Sequence, residues 1–247
     1  MKAFSRTDTG RRREMNQDYM YTSEVSVGNL PNLYILADGM GGHNAGDFAS
    51  RYTVETIVKS VQDSKEISPI VILRSAIQKA NLAVMEKAVT DIDLEGMGTT
   101  VVAATRSGKE LCVANVGDSR LYIVNRCLEQ ITRDHSYVQE MVRRGKIEPE
   151  AARMHPDRNV ITRAVGGGQK IEIDFFEVEL KKNDRILMCS DGLTDMMEDG
   201  EILKIIENRT DTEGMIDELI RVANEYGGND NITVILTDPF AADADWR

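Results

Sequence analysis

Two aspartates each end an apolar run and each precede a glycine. Asp38 follows Leu-Tyr-Ile-Leu-Ala and precedes Gly39, and Asp191 follows Ile-Leu-Met-Cys-Ser and precedes a second glycine. Short apolar runs bounded by glycine are typical of buried strands. Because a bare buried carboxylate is costly, an acid at the end of such a strand needs a compensating partner.

Two further aspartates extend this acidic set. Asp118 lies in Gly-Asp-Ser-Arg and Asp230 in Gly-Gly-Asn-Asp-Asn. Two carboxylates within about 4 Å of each other repel by roughly 4 kcal/mol at an effective dielectric of about 20. A hard divalent cation with oxygen ligands relieves that repulsion. An Asp-Gly turn explains any one of these aspartates, but the four together favour a carboxylate metal centre.

Composition and charge exclude several classes of protein. The 247 residues, 29% charged and 41% hydrophobic, fit one large or two small globular domains. A net charge of −11 disfavours non-specific binding to nucleic acid or to an anionic membrane. No apolar stretch approaches the length of a membrane span, and no apolar signal core follows the N-terminus. We therefore expect a cytoplasmic protein with neither a membrane nor a nucleic-acid partner.

The three cysteines, Cys112, Cys127 and Cys189, show no C-x-x-C spacing. Cys112 and Cys189 lie inside strand-like runs. This pattern predicts buried thiols, with no disulfide framework and no zinc site.

The elements that must position the acids read as strands joined by short turns, which favours antiparallel neighbours. The predicted strands are 33–37, 99–104, 111–116, 120–124, 171–178, 185–189 and 231–236, with 19–24 as a weaker candidate. The predicted helices are 45–61, 70–89, 136–144, 199–208 and 212–226, and Ser136 is a candidate N-cap. Because the helices cluster along the chain, we expect α+β layers, with two antiparallel sheets packed together and helices outside.

The segment 137–160 interrupts the series of strands. It is polar and carries Arg143, Arg144 and Lys146 together with two prolines, which predicts an inserted lobe. No internal repeat or interdomain linker divides the remainder. We therefore predict one domain over residues 1–240, followed by a C-terminal tail at 241–247.

Eight short motifs follow one another along the chain. They are Arg13-x-x-Asn16-Gln17-Asp18, Asp38-Gly39-Met40-Gly41-Gly42-His43-x-x-Gly46, Gly98-Thr99-Thr100, Gly117-Asp118-Ser119-Arg120, Asp134-His135-Ser136, Thr162-Arg163-Ala164-Val165-Gly166, Ser190-Asp191-Gly192-x-x-Asp195 and Gly228-Asn229-Asp230-Asn231-x-Thr233. Their order and spacing resemble the bacterial branch of the PPM, or type 2C, serine/threonine protein phosphatases over nearly the whole chain.

The resemblance implies a fold and an activity. The family fold is a β-sandwich of two antiparallel sheets flanked by helices, with a metal centre at one end, in agreement with the layers expected above. The implied reaction is metal-dependent hydrolysis of phosphoserine and phosphothreonine in proteins, reversing a bacterial serine/threonine kinase. The implied cofactors are Mn²⁺ or Mg²⁺, and we expect a monomer. Residues 137–160 match the family's flap, a name kept for them below.

By the same resemblance, Asp38 bridges two core metal ions and is a catalytic residue. The carbonyl of Gly39 binds one of these ions, and Asp191 and Asp230 bind the other. Two ions about 3.5–4 Å apart lower the pKa of a shared water, which attacks phosphorus in line.

The resemblance also assigns residues outside this core. Asp118, with Asp191 and Asp195, matches a third and weaker metal site of bacterial members. Arg13 matches the catalytic arginine that grips the substrate phosphate. A guanidinium suits that role because it gives two parallel hydrogen bonds to phosphate oxygens.

Two residues depart from the pattern of many family members. Met40 stands where many eukaryotic members have a histidine that is proposed as the general acid, and a thioether has no proton to donate. Gln17 stands where many members have glutamate, and it is a neutral, poorer ligand.

Two other functions fit part of the pattern. A catalytically silent phosphoprotein-binding member would have lost an acid, but Asp38, Asp118, Asp191 and Asp230 are all present. Another two-metal hydrolase acting on phosphodiesters or nucleotides would share the acids. The acidic net charge argues against nucleic acid as its substrate, though not against small molecules.

Overall fold

The computed structural model describes residues 2–42, 45–209 and 211–241. His43 of the glycine-rich motif lies outside the described residues, as do residues 242–247 of the predicted tail. The strands in chain order are β1 (Lys2–Asp8), β2 (Asp18–Ser23), β3 (Leu33–Met40), β4 (Gly98–Thr99), β5 (Val101–Ser107), β6 (Glu110–Val116), β7 (Arg120–Val124), β8 (Leu128–Gln130), β9 (Asp174–Glu179), β10 (Arg185–Cys189) and β11 (Ile232–Asp238).

These strands form two sheets. The first has the order β1-β11-β10-β7-β8, and the second has the order β2-β3-β5-β6-β9 with β4 beside β3. Each pairing between these strands is antiparallel. The predicted α+β fold with two antiparallel sheets is therefore confirmed.

The five predicted helices are present, each within one residue of its predicted bounds. The helical elements are α1 (Ala45–Gln62), α2 (Pro69–Thr90), a 3₁₀ turn (Ile92–Leu94), α3 (Tyr137–Arg143), α4 (Pro149–Ala152), α5 (Asp191–Thr194), α6 (Asp199–Glu207) and α7 (Thr212–Glu225). Ser136 caps α3 as predicted, because its side chain accepts a hydrogen bond from the Gln139 N–H at 3.4 Å.

Alternation along β3 shows how the layers are built. Leu33, Ile35 and Ala37 belong to the core beneath α1 and α2, whereas Tyr34 and Leu36 belong to the core between the sheets. Successive side chains of a strand point to opposite faces. Because both faces of β3 are covered, its sequence is apolar throughout instead of alternating. A third core lies between the first sheet and helices α6 and α7.

The sequence missed β1 and β8 and misplaced other boundaries. β1 is an edge strand whose residues are mostly exposed or half-buried, so it lacks the apolar run of a buried strand. The predicted start of the strand at 171–178 is wrong, because β9 begins at Asp174. Ile171 and Ile173 pack on the core without joining the sheet. The predicted strand at 99–104 is divided between β4 and β5. The helices α4 and α5 are too short to show a helical period.

Two further expectations concern the cysteines and the membrane. Cys112 and Cys189 are buried free thiols as predicted, and Cys127 is an exposed free thiol. None of the helices in the described residues is long and apolar enough to cross a bilayer.

The flap contains α3 and α4, and two backbone hydrogen bonds close its base. The Tyr137 N–H donates to the Val160 carbonyl at 2.7 Å, and the Thr162 N–H donates to the His135 carbonyl at 2.7 Å. The entry and exit of the flap are therefore paired where it leaves the sandwich.

Candidate metal centre

The four aspartates singled out from the sequence lie where strands of both sheets end. Asp38 lies near the end of β3, Asp118 follows β6, and Asp230 precedes β11. Asp191 is the first residue of α5, directly beyond β10. Because β3 and β10 are mostly buried, their backbones hold these acids at fixed positions.

A cavity of ≈ 200 Å³, called here the carboxylate cavity, opens between these strand ends. Six predicted site residues line it, namely Arg13, Asp38, Gly39, Asp118, Asp191 and Asp230. The other lining residues are Gln17, Met40, Gly41, Thr100, Asn159 and Ile161. Asp195 does not line it. Asp195 lines a second cavity of ≈ 450 Å³ against the flap, which also touches Asp118 and Asp191 and is called here the flap cavity.

Burial and mutual repulsion raise the pKa values of the inner carboxyls. The pKa of Asp38 lies well above its usual range, first because of burial and then because of the charges of Asp18 and Asp191. The pKa of Asp191 is raised by burial and then by the charge of Asp118. The protein itself therefore supplies too little positive charge to keep these acids ionised at ordinary cost.

The pKa values of the two acids Asp118 and Asp195, which line the flap cavity, are also raised, although arginines lie nearby. Burial raises the pKa of Asp118 to about 7, and the charge of Asp134 adds to the effect. Burial also raises the pKa of Asp195, although Arg158 opposes that shift. The Nε of Arg158, on the flap, lies 3.7 Å from Oδ2 of Asp195. The flap therefore places a cation beside one predicted metal ligand.

Asp18 is the site residue that sequence reasoning left without a role. It lies opposite Asp38 in the β2–β3 register and is 5% exposed. Its Oδ2 accepts hydrogen bonds from the hydroxyls of Ser190 at 2.8 Å and Thr233 at 2.6 Å. Burial raises its pKa to about 6. The motif Asn-Gln-Asp before a predicted strand could have indicated that Asp18 belongs to the site. Only the register between β2 and β3 places this acid beside Asp38.

The oxygens of this cluster suit a hard divalent cation. In the described residues, no donor reaches Oδ1 of Asp18 or Oδ1 of Asp191, although both atoms are buried. Carboxylate oxygens of this kind are the ligands that Mg²⁺ and Mn²⁺ prefer. No three acidic, histidine or cysteine side chains between residues 2 and 241, as far as they are described, enclose a metal by themselves. Ligands from the protein would therefore leave coordination positions to water, as is usual for Mg²⁺.

Two threonines hold the backbone of Asp38. The Thr100 hydroxyl accepts from the Asp38 N–H at 2.9 Å, and the Thr99 hydroxyl donates to the Asp38 carbonyl at 2.8 Å. The Thr100 N–H donates to the same carbonyl at 2.9 Å. Both threonines therefore fix the backbone of Asp38 at the cavity.

Gly39 must be glycine because three segments meet there. A Cβ at this position would lie 2.0 Å from the Gly46 carbonyl oxygen and 2.6 Å from the Gln17 carbonyl oxygen. The Gly39 N–H donates to the Gln17 carbonyl at 3.0 Å. The β1–β2 loop, β3 and the start of α1 are therefore packed backbone to backbone beside the cavity.

Arg13 lies at the rim of the carboxylate cavity and pairs with an acid of the cluster. Its Nη2 lies 2.7 Å from Oδ2 of Asp230, and the two side chains are 49% and 30% exposed. The Asn231 N–H donates to the other oxygen, Oδ1 of Asp230, at 2.8 Å. The structure therefore brings the predicted phosphate-binding arginine next to a predicted metal ligand.

Met40 of the glycine-rich motif lines the carboxylate cavity. None of the histidines in the described residues lines this cavity. His135 lies outside this cavity, where its Nδ1 accepts from the Gly117 N–H at 3.1 Å and its Nε2 lies 3.2 Å from Asp174.

The chain resembles known phosphatases in sequence. The family model for Protein phosphatase 2C matches residues 8–237. The serine/threonine phosphatase stp of Listeria monocytogenes serovar 1/2a is 42% identical over 245 residues, which cover 96% of this chain and 96% of that protein.

Solved structures of phosphatases have the same fold. Serine/threonine phosphatase Stp1 from Staphylococcus aureus superposes with a TM-score of 0.89 at 37% identity, covering 95% of this chain and 93% of that one. The catalytic domain of the serine/threonine protein phosphatase PstP, in complex with two manganese ions, superposes with a TM-score of 0.83 at 34% identity. That match covers 95% of this chain and 96% of that one.

Proposed function

The chain belongs to the protein phosphatase 2C family, and we infer from this premise that it hydrolyses phosphoserine and phosphothreonine in proteins. It is a metal-dependent serine/threonine protein phosphatase, and its substrates are phosphoproteins. The observation that carries this conclusion is the convergence of Asp38, Asp118, Asp191 and Asp230 on one cavity. The acids lie at the ends of strands from both sheets. Four unrelated turns would not be expected to bring their carboxylates to one cavity.

We propose that Asp38 bridges two Mn²⁺ or Mg²⁺ ions. The Gly39 carbonyl would complete one site, and Asp191 and Asp230 would complete the other. Burial and then the charges of Asp18 and Asp191 raise the pKa of Asp38, which supports a position beside cations. When bound, such a pair of ions supplies a water of lowered pKa as the nucleophile.

We propose a third, weaker metal site in the flap cavity, held by Asp118, Asp191 and Asp195. These three acids line that cavity together. Arg158 lies beside Asp195 and competes for its charge, which supports lower affinity for a cation there.

The remaining chemistry belongs to residues of the chain. Arg13 binds the substrate phosphate, and its contact with Asp230 keeps the guanidinium at the rim while other N–H groups stay available. Asp18 accepts hydrogen bonds from the hydroxyls of Ser190 and Thr233 and so ties β2 to the other sheet next to Asp38. Met40 cannot donate a proton, so the leaving oxygen of the substrate must take its proton from water or from another group.

The test uses three substrates with and without Mn²⁺. We expect para-nitrophenyl phosphate and a phosphothreonine peptide to be hydrolysed only when the metal is present. We expect no hydrolysis of bis-para-nitrophenyl phosphate. Asp38→Asn is the matched control, because it keeps the shape of the side chain and removes its charge. Peptide binding without turnover would indicate a silent member, and preferred cleavage of the diester would indicate a phosphodiesterase.

Three expectations from the sequence stay predictions. We propose that the enzyme reverses the action of a serine/threonine kinase, acts in the cytoplasm and is a monomer. Light scattering coupled to size-exclusion chromatography tests the monomer. Loss of the gene should raise protein phosphothreonine in cells, and it should not do so where the kinase gene is also lost.

A further inference from the structure

The loop that carries Arg13 is held near both ends by one buried side chain, that of Asn231. Its Nδ2 donates to the carbonyl oxygens of Thr9 and Met15, both at 2.9 Å. Its Oδ1 accepts from the Gln17 N–H at 2.8 Å. We propose that Asn231 is the positioning residue that holds the Arg13 guanidinium at the cavity. This inference rests on the phosphate-binding role proposed for Arg13.

The three partners fix the direction of the Asn231 amide. Two carbonyl oxygens require donors and one N–H requires an acceptor. A flipped amide would place its oxygen against the two carbonyl oxygens and its NH₂ group against the Gln17 N–H. Asn231 is 4% exposed, so its amide has little access to water as an alternative partner. Loss of this side chain would leave backbone groups of the loop without their buried partner, which is costly.

Hydrogen bonds, and not apolar packing, define the shape of this loop. The residues 11–15 are all exposed, so no side chain there packs into the core. Its other ties include the N–H groups of Arg11 and Arg12, which donate to the Gly228 carbonyl at 2.8 and 3.2 Å, and the ion pair of Arg13 with Asp230. A loop without buried apolar side chains depends on its hydrogen bonds for a fixed conformation.

Asn231 also joins this loop to the acidic side of the site. It follows Asp230 in the chain, and its own N–H donates to Oδ1 of Asp230 at 2.8 Å. A Cβ at Gly10 would lie 2.2 Å from the Asp230 carbonyl oxygen, so the loop rests directly on this segment. Displacing the backbone of the Arg13 loop relative to Asp230 would therefore strain the bonds of the Asn231 amide.

A double-mutant cycle tests the proposal with para-nitrophenyl phosphate at saturating Mn²⁺. In the wild-type background, Asn231→Ala should lower kcat/KM about ten-fold, the scale of one well-placed charged contact. In the Arg13→Ala background, the same change should cost less than about two-fold, because the group that it positions is gone. The inhibition constant of inorganic phosphate should rise in parallel in the first background and not in the second.

Asn32→Ala is the matched control. Asn32 is 7% exposed and also clamps a backbone, with two bonds of 2.8 Å to the N–H and carbonyl of Arg106. It precedes β3 at the end of the strand opposite to Asp38. Its effect on kcat/KM should be the same in both backgrounds.

Two further measurements keep the proposal testable if Asn231→Ala is too unstable to assay. Asn231→Asp has nearly the same shape and keeps the acceptor for Gln17, but it loses both donors, and it should repeat the non-additive pattern. Limited trypsin digestion should cut after Arg11, Arg12 or Arg13 faster in Asn231→Asp than in Asn32→Ala.

The outcomes separate the inference from the function on which it rests. If Arg13→Ala costs nothing, the phosphate-binding role fails and the inference falls with it. If Arg13→Ala is costly but the Asn231 effect persists in full in that background, the inference alone is wrong. A loss of Mn²⁺ affinity in Asn231→Asp, measured by calorimetry, would also overturn it, since Asn231 would then act through Asp230.

Discussion

The strand that carries Asp38 and the flap beside it differ in how deeply their residues are buried. From Leu33 to Ala37, β3 is at most 1% exposed. In the described part of the flap, only Val138 and Ala152 are buried, and Met154 is 85% exposed. The acids of the cavity therefore stand on close-packed backbone, whereas the flap rests on polar contacts.

Polar contacts also decide where the flap sits. Arg153 donates to the Thr194 carbonyl at 2.9 Å, and Arg158 lies beside Asp195. Such exposed contacts are individually weak compared with core packing. This difference matches the tasks expected of the two regions, because metal ligands would need fixed geometry while a surface that would meet phosphoproteins tolerates movement. Mutations in the two regions should therefore have effects of different size and kind.

The largest effect should come from Asp38→Ala. A bridging ligand serves both ions, and its loss leaves the other carboxylates repelling one another. We expect turnover of para-nitrophenyl phosphate to be nearly abolished, while Asp63→Ala, an exposed acid after α1, retains it. Retention of more than about a tenth of the wild-type turnover, a barrier change under ~1.4 kcal/mol, would show that Asp38 does not bridge.

Arg13→Ala should have the next largest effect. Loss of charge-assisted contacts to phosphate should lower kcat/KM by about ten- to a thousand-fold, the scale of ~1.4–4 kcal/mol. Arg13→Lys keeps the charge but loses the paired geometry, and it should recover only part of the activity. Mn²⁺ affinity measured by calorimetry should survive both changes, and its loss would contradict the assignment.

Asp118→Ala should reduce activity less than Asp38→Ala. It removes a proposed ligand of the third metal and leaves the bridging acid in place. An anomalous-scattering map of crystals grown with Mn²⁺ should show two metal peaks in this variant and three in the wild type. Loss of all the peaks would place Asp118 in the core centre instead.

A change within the flap should be smaller and selective. Replacing Arg143, Arg144 and Lys146 with alanine should lower activity on phosphoprotein more than on para-nitrophenyl phosphate, because the small ester does not need the flap. Arg143 and Arg144 both pair with Glu140 of α3 and are 72% and 62% exposed. Arg221→Ala on α7 is the control for loss of a surface arginine. Equal losses on both substrates would mean that the flap only supports the core.

The smallest effect concerns the stability of the metal-free protein. The folded-state pKa values of Asp18, about 6, and Asp118, about 7, lie above the usual 3.8, so these groups bind protons on folding. The protonated groups add to the free energy of unfolding at low pH, and this stabilisation is lost as the pH rises through these pKa values. From about pH 5 to about pH 8, the melting temperature without metal should fall by at least about 2 °C, the shift that 1 kcal/mol gives in a chain of this size.

Two controls sharpen this pH prediction. Saturating Mn²⁺ should raise the melting temperature and flatten its pH dependence, because it binds the folded state and supplies the missing charge. Asp18→Asn should flatten the dependence around pH 6 without metal. A melting temperature that rises with pH over this interval would contradict the assigned shifts.

The sequence predicted those elements whose signal is local. The strands at 120–124 and 185–189 have the predicted bounds and the long helices lie within one residue of theirs, because an apolar run or a helical period is visible within one window. The edge strand β1 gave no such signal, since its partner β11 lies at the other end of the chain. The sequence also singled out Asp38, Asp118, Asp191 and Asp230, because each borders a strand-like run.

Amino-acid sequence alone determined which residues are acids at strand ends and which segment is polar enough to form a flap. Only the tertiary structure decided that Asp18 lies opposite Asp38, that Asp195 faces the flap cavity, and that Asn231 closes the Arg13 loop. Local patterns record propensity and burial, which act over a few residues. Cross-strand register and hydrogen bonds between the two ends of the chain depend on how distant segments pack, and no local pattern encodes them.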